Sequence, residues 1–239
     1  MKFLEITTLA SSSAGNCHLI NDGKTKMLLD AGIPIKRIKE GLGFQCSSIA
    51  GALITHEHQD HIKACNDLAD IGVRCYATKG TFEAAGVRQR PFVEPIKKLE
   101  TFSVGTFQIM AFPIDHDAAD PVGYLVSSKH SGAKLLYITD TYKVNYSFGG
   151  VTHLMIECNY TSEDLRQYAE RSNLVYLKRI YSSHMELETV VLFIRSLQES
   201  PLQEVHLLHL SDNNADEEKM KSRIQEVTGA IVKVAPKWI

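Results

Sequence analysis

A short apolar run over residues 51–55 leads without a break into His56-Glu-His-Gln-Asp-His61, and beyond it Ile62, Cys65, Leu68 and Ala69 recur at helical spacing as far as Gly72. A strand therefore ends by delivering a cluster of metal-ligand-type side chains into a strand-to-helix loop, which constrains the fold more than any other stretch. In extended backbone alternate side chains point the same way, so His56 and His58 converge on one ion while Asp60 and His61 reach a neighbouring one. A helical His-Glu-x-x-His zinc site is excluded, because Asp60 stands where its second histidine would be. Such a cluster arises by chance in about one chain in a thousand of this length, so a solvated histidine-rich loop is the weaker reading.

The rest of the chain reads as strands alternating with helices. Residues 3–9, 18–21 and 26–30 are short strand-like runs separated by turn-rich pieces, which predicts an antiparallel meander. A helix follows over 35–42, bounded by Pro34 and Gly43. Strands are expected over 73–77, 101–104, 107–112, 122–127, 135–139, 153–157 and 205–210, with helices over 81–85, 162–170, 187–197 and 217–227. Leu187, Val190, Val191, Ile194 and Leu197 make one apolar stripe. The 239 residues contain no evident linker, so a single domain over 1–239 is expected, and strands followed by helices in both halves permit two similar halves packed sheet to sheet.

Composition excludes several classes. Apolar residues are 44% and charged residues 23% of the chain, ordinary globular values that argue against disorder. The five cysteines are odd in number, widely spaced and without a Cys-x-x-Cys pair, so neither a disulfide framework nor a structural zinc site is implied and reduced thiols are expected. No window approaches a membrane span and the first residues lack a signal-peptide core, which predicts a soluble, cytoplasmic protein. A net charge of −2 gives no broad electrostatic footprint for nucleic acid. Two bound divalent ions would add +4, all of it in the cleft, so a cationic site for a phosphodiester stays open.

Thr55-His-Glu-His-Gln-Asp-His61 resembles the signature of the metallo-β-lactamase superfamily, and other motifs extend the likeness along the chain. Leu28-Leu-Asp30-Ala-Gly32 is similar to the superfamily's first motif, Asp115-His116-Asp117 to its third, Thr139-Asp140-Thr141 to its fourth, and His209 to its final histidine. The resemblance implies an α/β fold, the four-layer αββα sandwich, with two divalent metal ions, Zn, Mn or Fe. His56, His58 and His116 would hold the first ion; Asp60, His61 and His209 the second; Asp140 would bridge them. Asp30 would orient a ligand histidine from behind, and a hydroxide bridging the ions would be the nucleophile.

Ser11-Ser-Ser-Ala-Gly-Asn-Cys17, His116-Asp-Ala-Ala-Asp-Pro-Val-Gly-Tyr124, Glu157-Cys-Asn-Tyr160 and His209-Leu-Ser-Asp-Asn-Asn214 are similar to the YycJ/WalJ group, relatives of the tRNA 3′-processing ribonucleases. That implies phosphodiesterase or exonuclease activity on nucleic acid, DNA or RNA. Aspartate rather than cysteine at position 140 disfavours antibiotic hydrolysis. His184 stands in an altered motif, His184-Met-Glu-Leu, and Glu157 resembles the glutamate that orients this histidine; with Asp60 they are the candidate catalytic residues. Ser183 and Glu186 form a capping-box pattern that puts His184 in the first turn of the helix over 187–197, where it could protonate a leaving oxygen beside a bound anion.

Other readings remain open. The residue 11–16 stretch suits either a phosphate-lining loop or a tight strand connection, and Asn213 and Asn214 either face substrate or cap a helix. Arg88, Arg90, Lys97 and Lys98 against Glu94 make a local basic excess, either a backbone contact or a solvated surface. His18, His130, His153 and His206 read as structural. The rival functions are the same catalytic machine acting on a cyclic phosphate, thioester or lactone, and a non-catalytic metal-binding scaffold.

Overall fold

The computed structural model describes residues 3–169, 174–197, 200–211 and 215–237. The strands lie in two mixed sheets, and the chain divides into two compact units. The first runs through Met1–Pro113, Ala118–Ala133 and Pro236–Ile239, and the second comprises Ile114–Asp117 and Lys134–Ala235.

In the first unit β1 (Glu5–Ser12), β2 (Gly15–Asn21) and β3 (Lys26–Leu29) form the expected antiparallel meander, continued by parallel strands β4 (Ile49–Leu53), β5 (Cys75–Thr78) and β6 (Val93–Ile96). The parallel strands need crossovers, which α1 (Ile35–Gly41), α3 (Cys65–Asp70) and α4 (Lys79–Ala84) supply. Ile38, Leu68, Ala69 and Phe82 on these helices are buried with Leu28, Ala52, Ile54 and Cys75 in one apolar cluster. The hairpin strands β7 (Thr101–Val104), β8 (Phe107–Pro113) and β9 (Val122–Ser128) pair antiparallel, alternating inward and outward residues as a half-covered sheet does.

The residue 11–16 stretch is a tight strand connection. β1 reaches Ser12 and β2 begins at Gly15, with the two paired. Gly32, just past β3, is where the backbone must pass close: a Cβ there would lie 1.7 Å from the Asp60 carbonyl oxygen. That closeness lets the Ala31 N–H bond the His61 carbonyl at 2.7 Å and the Gly32 N–H bond the Asn16 carbonyl at 2.8 Å.

The second unit is a run of parallel strands, β10 (Lys134–Ile138), β11 (His153–Glu157), β12 (Glu204–Leu208) and β13 (Ile231–Val234). Their connections carry α5 (Ser162–Ala169), α6 (Leu174–Ser183), α7 (Leu187–Ser196) and α8 (Glu217–Thr228). The expected stripe Leu187, Val190, Val191, Ile194 and Leu197 is buried. α8 starts where the Asp216 carboxylate accepts the Lys219 N–H, and ends at Gly229, whose φ of 65° suits a residue without Cβ.

Among the described residues β6, β13 and α6 escape sequence patterning. β6 holds Glu94-Pro95 and β13 alternates Lys233 with valines, so short, edge-like strands carry too few apolar residues to stand out. α6 was unmarked because the Ser183–Glu186 pattern looked like a helix start. Ser183 instead ends α6, and the Glu186 carboxylate caps α7 by accepting the N–H groups of Glu188 and Thr189 at 2.7 and 3.2 Å. His184 therefore closes one helix and does not open the next: its N–H bonds the Ile180 carbonyl at 3.0 Å. A helix N-terminus does not lie behind it, and the argument from helix-bound anions falls. Asn213 and Asn214 lie outside the described residues.

Candidate metal centre

In both units the polar residues gather at the carboxyl ends of neighbouring parallel strands, the usual place for a site in such sheets. Asp30 follows β3 and Thr55-His56 follows β4, its parallel neighbour. Asp140 follows β10, Glu157 ends β11 and His209 follows β12. Asp30, Asp140 and His209 have φ of 56°, 45° and 53°, the left-handed region that non-glycine residues seldom adopt. Each strand thus ends by turning sharply, and the turn breaks the alternation that would otherwise fix where the side chain goes.

In the first unit the Asp30 carboxylate is fully buried and organises its neighbours. It accepts the Thr55 N–H at 2.8 Å, the Thr55 hydroxyl at 3.0 Å and the His61 Nδ1–H at 2.8 Å. The single Thr55 hydroxyl proton goes to this carboxylate, so the Thr55 oxygen accepts from His56 Nδ1 at 3.0 Å. Both rings are thereby fixed as Nδ1–H tautomers, and Nε2 is the electron-pair donor of each. His58 stands at the start of α2 (Gln59–Ile62), with its ring centroid 4.7 Å from that of His56; the His56 and His61 centroids are 4.1 Å apart. Three imidazoles so close repel one another if protonated, and neutral rings around a cation remove the conflict. The alternation expected over the whole motif holds for His56 and His58; Asp60 and His61 ride on the short helical turn.

Asn16 enters this group unannounced. Its two amide hydrogens are shared among three acceptors, the Ser12 and Asp60 carbonyls at 3.1 and 3.3 Å and His61 Nε2 at 3.1 Å. Two carbonyl partners fix the amide orientation. Asp60 Oδ2 lies 3.5 Å from His61 Nε2. The His61 lone pair can serve the Asn16 amide or an ion, not both. Glu57, between the two motif histidines, accepts the Ala119 N–H at 2.6 Å.

In the second unit Glu157 is the fully buried centre. Its Oε1 accepts from His184 Nδ1 at 2.5 Å and His209 Nδ1 at 3.1 Å, and its Oε2 accepts the Thr141 N–H at 3.0 Å. Asp140 Oδ1 lies 3.2 Å from His209 Nδ1, and Asp140 Oδ2 3.8 Å from His116 Nε2. Potential ligand atoms of Asp140, Glu157, His184 and His209 all fall within 4.8 Å of one another. Burial alone would raise the Glu157 carboxyl and lower both imidazoles. The ion pairing outweighs it: Glu157 is held below the ordinary carboxylate value and His184 above the ordinary imidazole value. His209, beside both carboxylates, is pushed up to about 10. A cation bound to this group would displace the His209 proton, so metal uptake and proton release are linked here. Buried imidazoles and carboxylates, without thiolate, make a nitrogen and oxygen donor set that fits Zn²⁺, Mn²⁺ or Fe²⁺.

Residues around this group hold it in place. Asn159 donates its amide to the His209 carbonyl at 2.8 Å, Thr139 its hydroxyl to Asp140 at 2.8 Å, and Thr141 its hydroxyl to the Asp115 carbonyl at 3.0 Å. All three stand within motifs quoted from the sequence, but nothing in a hydroxyl or amide marks it as a support until its partner is known. His206, on β12, lies 3.3 Å from Glu204 and is pushed down to about 4, by burial first and by His153 second. His18 bonds Thr8 at 2.9 Å. Three cations of the basic stretch are paired: Arg90 with Asp70, Lys97 with Glu100 and Lys98 with Asp120.

The model of the Beta-lactamase superfamily domain matches residues 25–209, most of the chain and the span from Asp30 to His209. The chain belongs to this superfamily. It is 30% identical over 233 residues to a Bacillus anthracis protein named exodeoxyribonuclease YycJ, covering 90% of this chain and 85% of that one. It is 32% identical over 228 residues to the exodeoxyribonuclease WalJ of Streptococcus pneumoniae, covering 86% and 81%. Among solved structures it is similar to the metallo-β-lactamase fold protein YhfI from Bacillus subtilis, with a TM-score of 0.75 at 15% identity, covering 100% of this chain and 98% of that one. The fold is accordingly the α/β sandwich of this superfamily of hydrolases, and the fold implies divalent metal ions. Among the described residues no helix is long and apolar enough to cross a membrane.

Proposed function

We propose that the protein is a dinuclear metal-dependent exonuclease acting on DNA in the cytoplasm. His56, His58 and His116 would hold one ion and Asp60, His61 and His209 the other, with Asp140 serving both and Asp30 orienting His61. This assignment rests on the family pattern, on the tautomers set by Asp30 and Thr55, and on the donor set around Asp140. Bound there, Zn, Mn or Fe ions would polarise a phosphoryl oxygen and lower the pKa of a shared water.

The observation that carries the reading is the pairing of His184 with Glu157. A buried carboxylate holds Nδ1 of a partly exposed imidazole at 2.5 Å and raises its pKa above the ordinary imidazole value, which favours the protonated ring and suits it to give a proton from Nε2. A phosphodiester needs such a donor at its leaving oxygen. Glu157 acts on substrate through His184, and Asp60 through the ion it holds. The names of the relatives, at about a third identity over most of the chain, favour DNA among phosphodiesters.

The test is a panel on the purified, metal-loaded protein: end-labelled DNA, end-labelled RNA, a cyclic nucleotide, a thioester and a β-lactam. DNA shortening from an end at the highest kcat/KM is expected. Turnover of the thioester or cyclic nucleotide with DNA left intact would overturn the proposal.

A further inference from the structure

The second unit carries two exposed tyrosines next to the Glu157–His184 pair. Thr141 is fully buried, its N–H fixed to Glu157 Oε2 and its hydroxyl to the carbonyls of Asp115 and Lys143 at 3.0 and 2.8 Å. The next residue, Tyr142, is 37% exposed, and the Lys143 ammonium lies 5.3 Å from its ring centroid. On the other side, Tyr181 is 51% exposed and stands three residues before His184. Because the His184 N–H still bonds the Ile180 carbonyl, the helical turn continues to His184, and residues three apart share a face. Tyr160 meets the Tyr181 ring edge-on at 5.8 Å and so props it from one side.

One carboxylate thus anchors two segments, each presenting an aromatic ring within three residues of a group it holds. A single exposed tyrosine is ordinary. Two rings on segments tied to the same buried carboxylate, one with an ammonium against it that also lies 3.9 Å from the Asp115 carboxylate, match what unpaired nucleotides need: π-faces for bases and a cation for the backbone. Bases stacked within a duplex present no face to such rings. We infer that Tyr142 and Tyr181 stack the bases of nucleotides flanking the scissile bond, so that the DNA end is bound unpaired, with Lys143 at its backbone. This rests on the exonuclease reading and names the form of substrate that the site takes.

The experiment pairs enzyme and substrate changes. Steady-state hydrolysis by the metal-loaded wild type, Tyr142→Ala, Tyr142→Phe, Tyr181→Ala and Tyr181→Phe is measured on oligonucleotides with ordinary ends and with an abasic residue at each of the last three positions. For the wild type, abasic substitution at two of the positions raises KM roughly fivefold or more, with kcat within about twofold. Each Tyr→Ala variant loses the discrimination at one position and keeps it at the other, and each Tyr→Phe variant retains both. Wild-type indifference to abasic residues, or Tyr→Ala variants that discriminate as the wild type does, overturns the stacking role. A wild type that degrades no DNA at all fails at the exonuclease reading itself, a distinct result.

Discussion

In the first unit one buried carboxylate, Asp30, holds His61 directly and reaches His56 through Thr55, with the His58 ring against His56, and the motif's ligand-type residues stand within six positions of sequence. In the second unit two buried carboxylates, Asp140 and Glu157, share two imidazoles, and their bearers come from three strand ends and the end of α6, spread over residues 140–209. The first arrangement fixes tautomers: Asp30 and Thr55 decide which nitrogen of His56 and of His61 carries a proton. The second tunes charge: Asp140 and Glu157 raise the pKa of His184 and His209. A nitrogen-rich pocket oriented from behind suits tight metal capture, and a carboxylate-rich one suits charge balance and proton transfer.

The largest separation of these roles comes at Asp140. Asp140→Ala removes the carboxylate that faces both His209 and His116, and hydrolysis is expected to fall by more than about a thousandfold with metal content reduced, read by turnover and elemental analysis. Glu157→Gln keeps a hydrogen-bonding side chain but loses the charge. The expected drop in kcat is about a hundredfold or more, with metal content nearly retained, because the loss falls on the proton of His184. A matching loss of both ions would move Glu157 into the metal-holding group and break the contrast.

Asp30→Asn tests the other side. Its amide cannot accept from both Thr55 and His61 as the carboxylate does, and metal affinity should fall by about 10- to 100-fold in a competition titration, with kcat at saturating metal much less changed. Smaller still is the pH effect at His206. That histidine shares β12's chain direction with His209, yet burial and His153 push it down to about 4 while the carboxylates push His209 up to about 10. With its folded value depressed below the unfolded value of about 6.5, the unfolded state binds more protons between those limits, so stability falls as pH drops from about 6.5 towards 4. His206→Gln should flatten that part of a denaturation profile. The smallest effect is expected at Asn16: Asn16→Ala removes the amide that competes for the His61 lone pair, leaving metal affinity equal or slightly tighter by the same titration.

How far the sequence spoke follows the same division. The first group was legible because its residues lie on one strand exit, where a period of two and the onset of a helical pattern are local signals. Asp30 stood out through its motif, and Gly32 has a physical reason in the passage of the Asp60 backbone. The second group was legible only through resemblance, since Asp140, Glu157 and His209 are neighbours solely by the register of β10, β11 and β12. His184 shows the limit most clearly. The pattern Ser183 to Glu186 fitted a capping box, but Glu186 caps α7 with its own carboxylate and Ser183 belongs to α6, so local rules placed the histidine on the wrong helix. The supporting roles of Asn16, Thr55, Thr141 and Asn159 each depend on a contact more than ten residues away in sequence: with His61, Asp30, Glu157 and His209 in turn.

The central claim is that the two ligand groups hold two ions which the protein uses to cut DNA. The most direct measurement strips the protein with chelator, removes chelator by gel filtration, and follows shortening of end-labelled DNA while Mn²⁺ or Zn²⁺ is added back against elemental analysis. Activity absent in the stripped protein and restored as occupancy reaches two ions per chain is the result predicted. Full activity in the stripped protein would contradict the account.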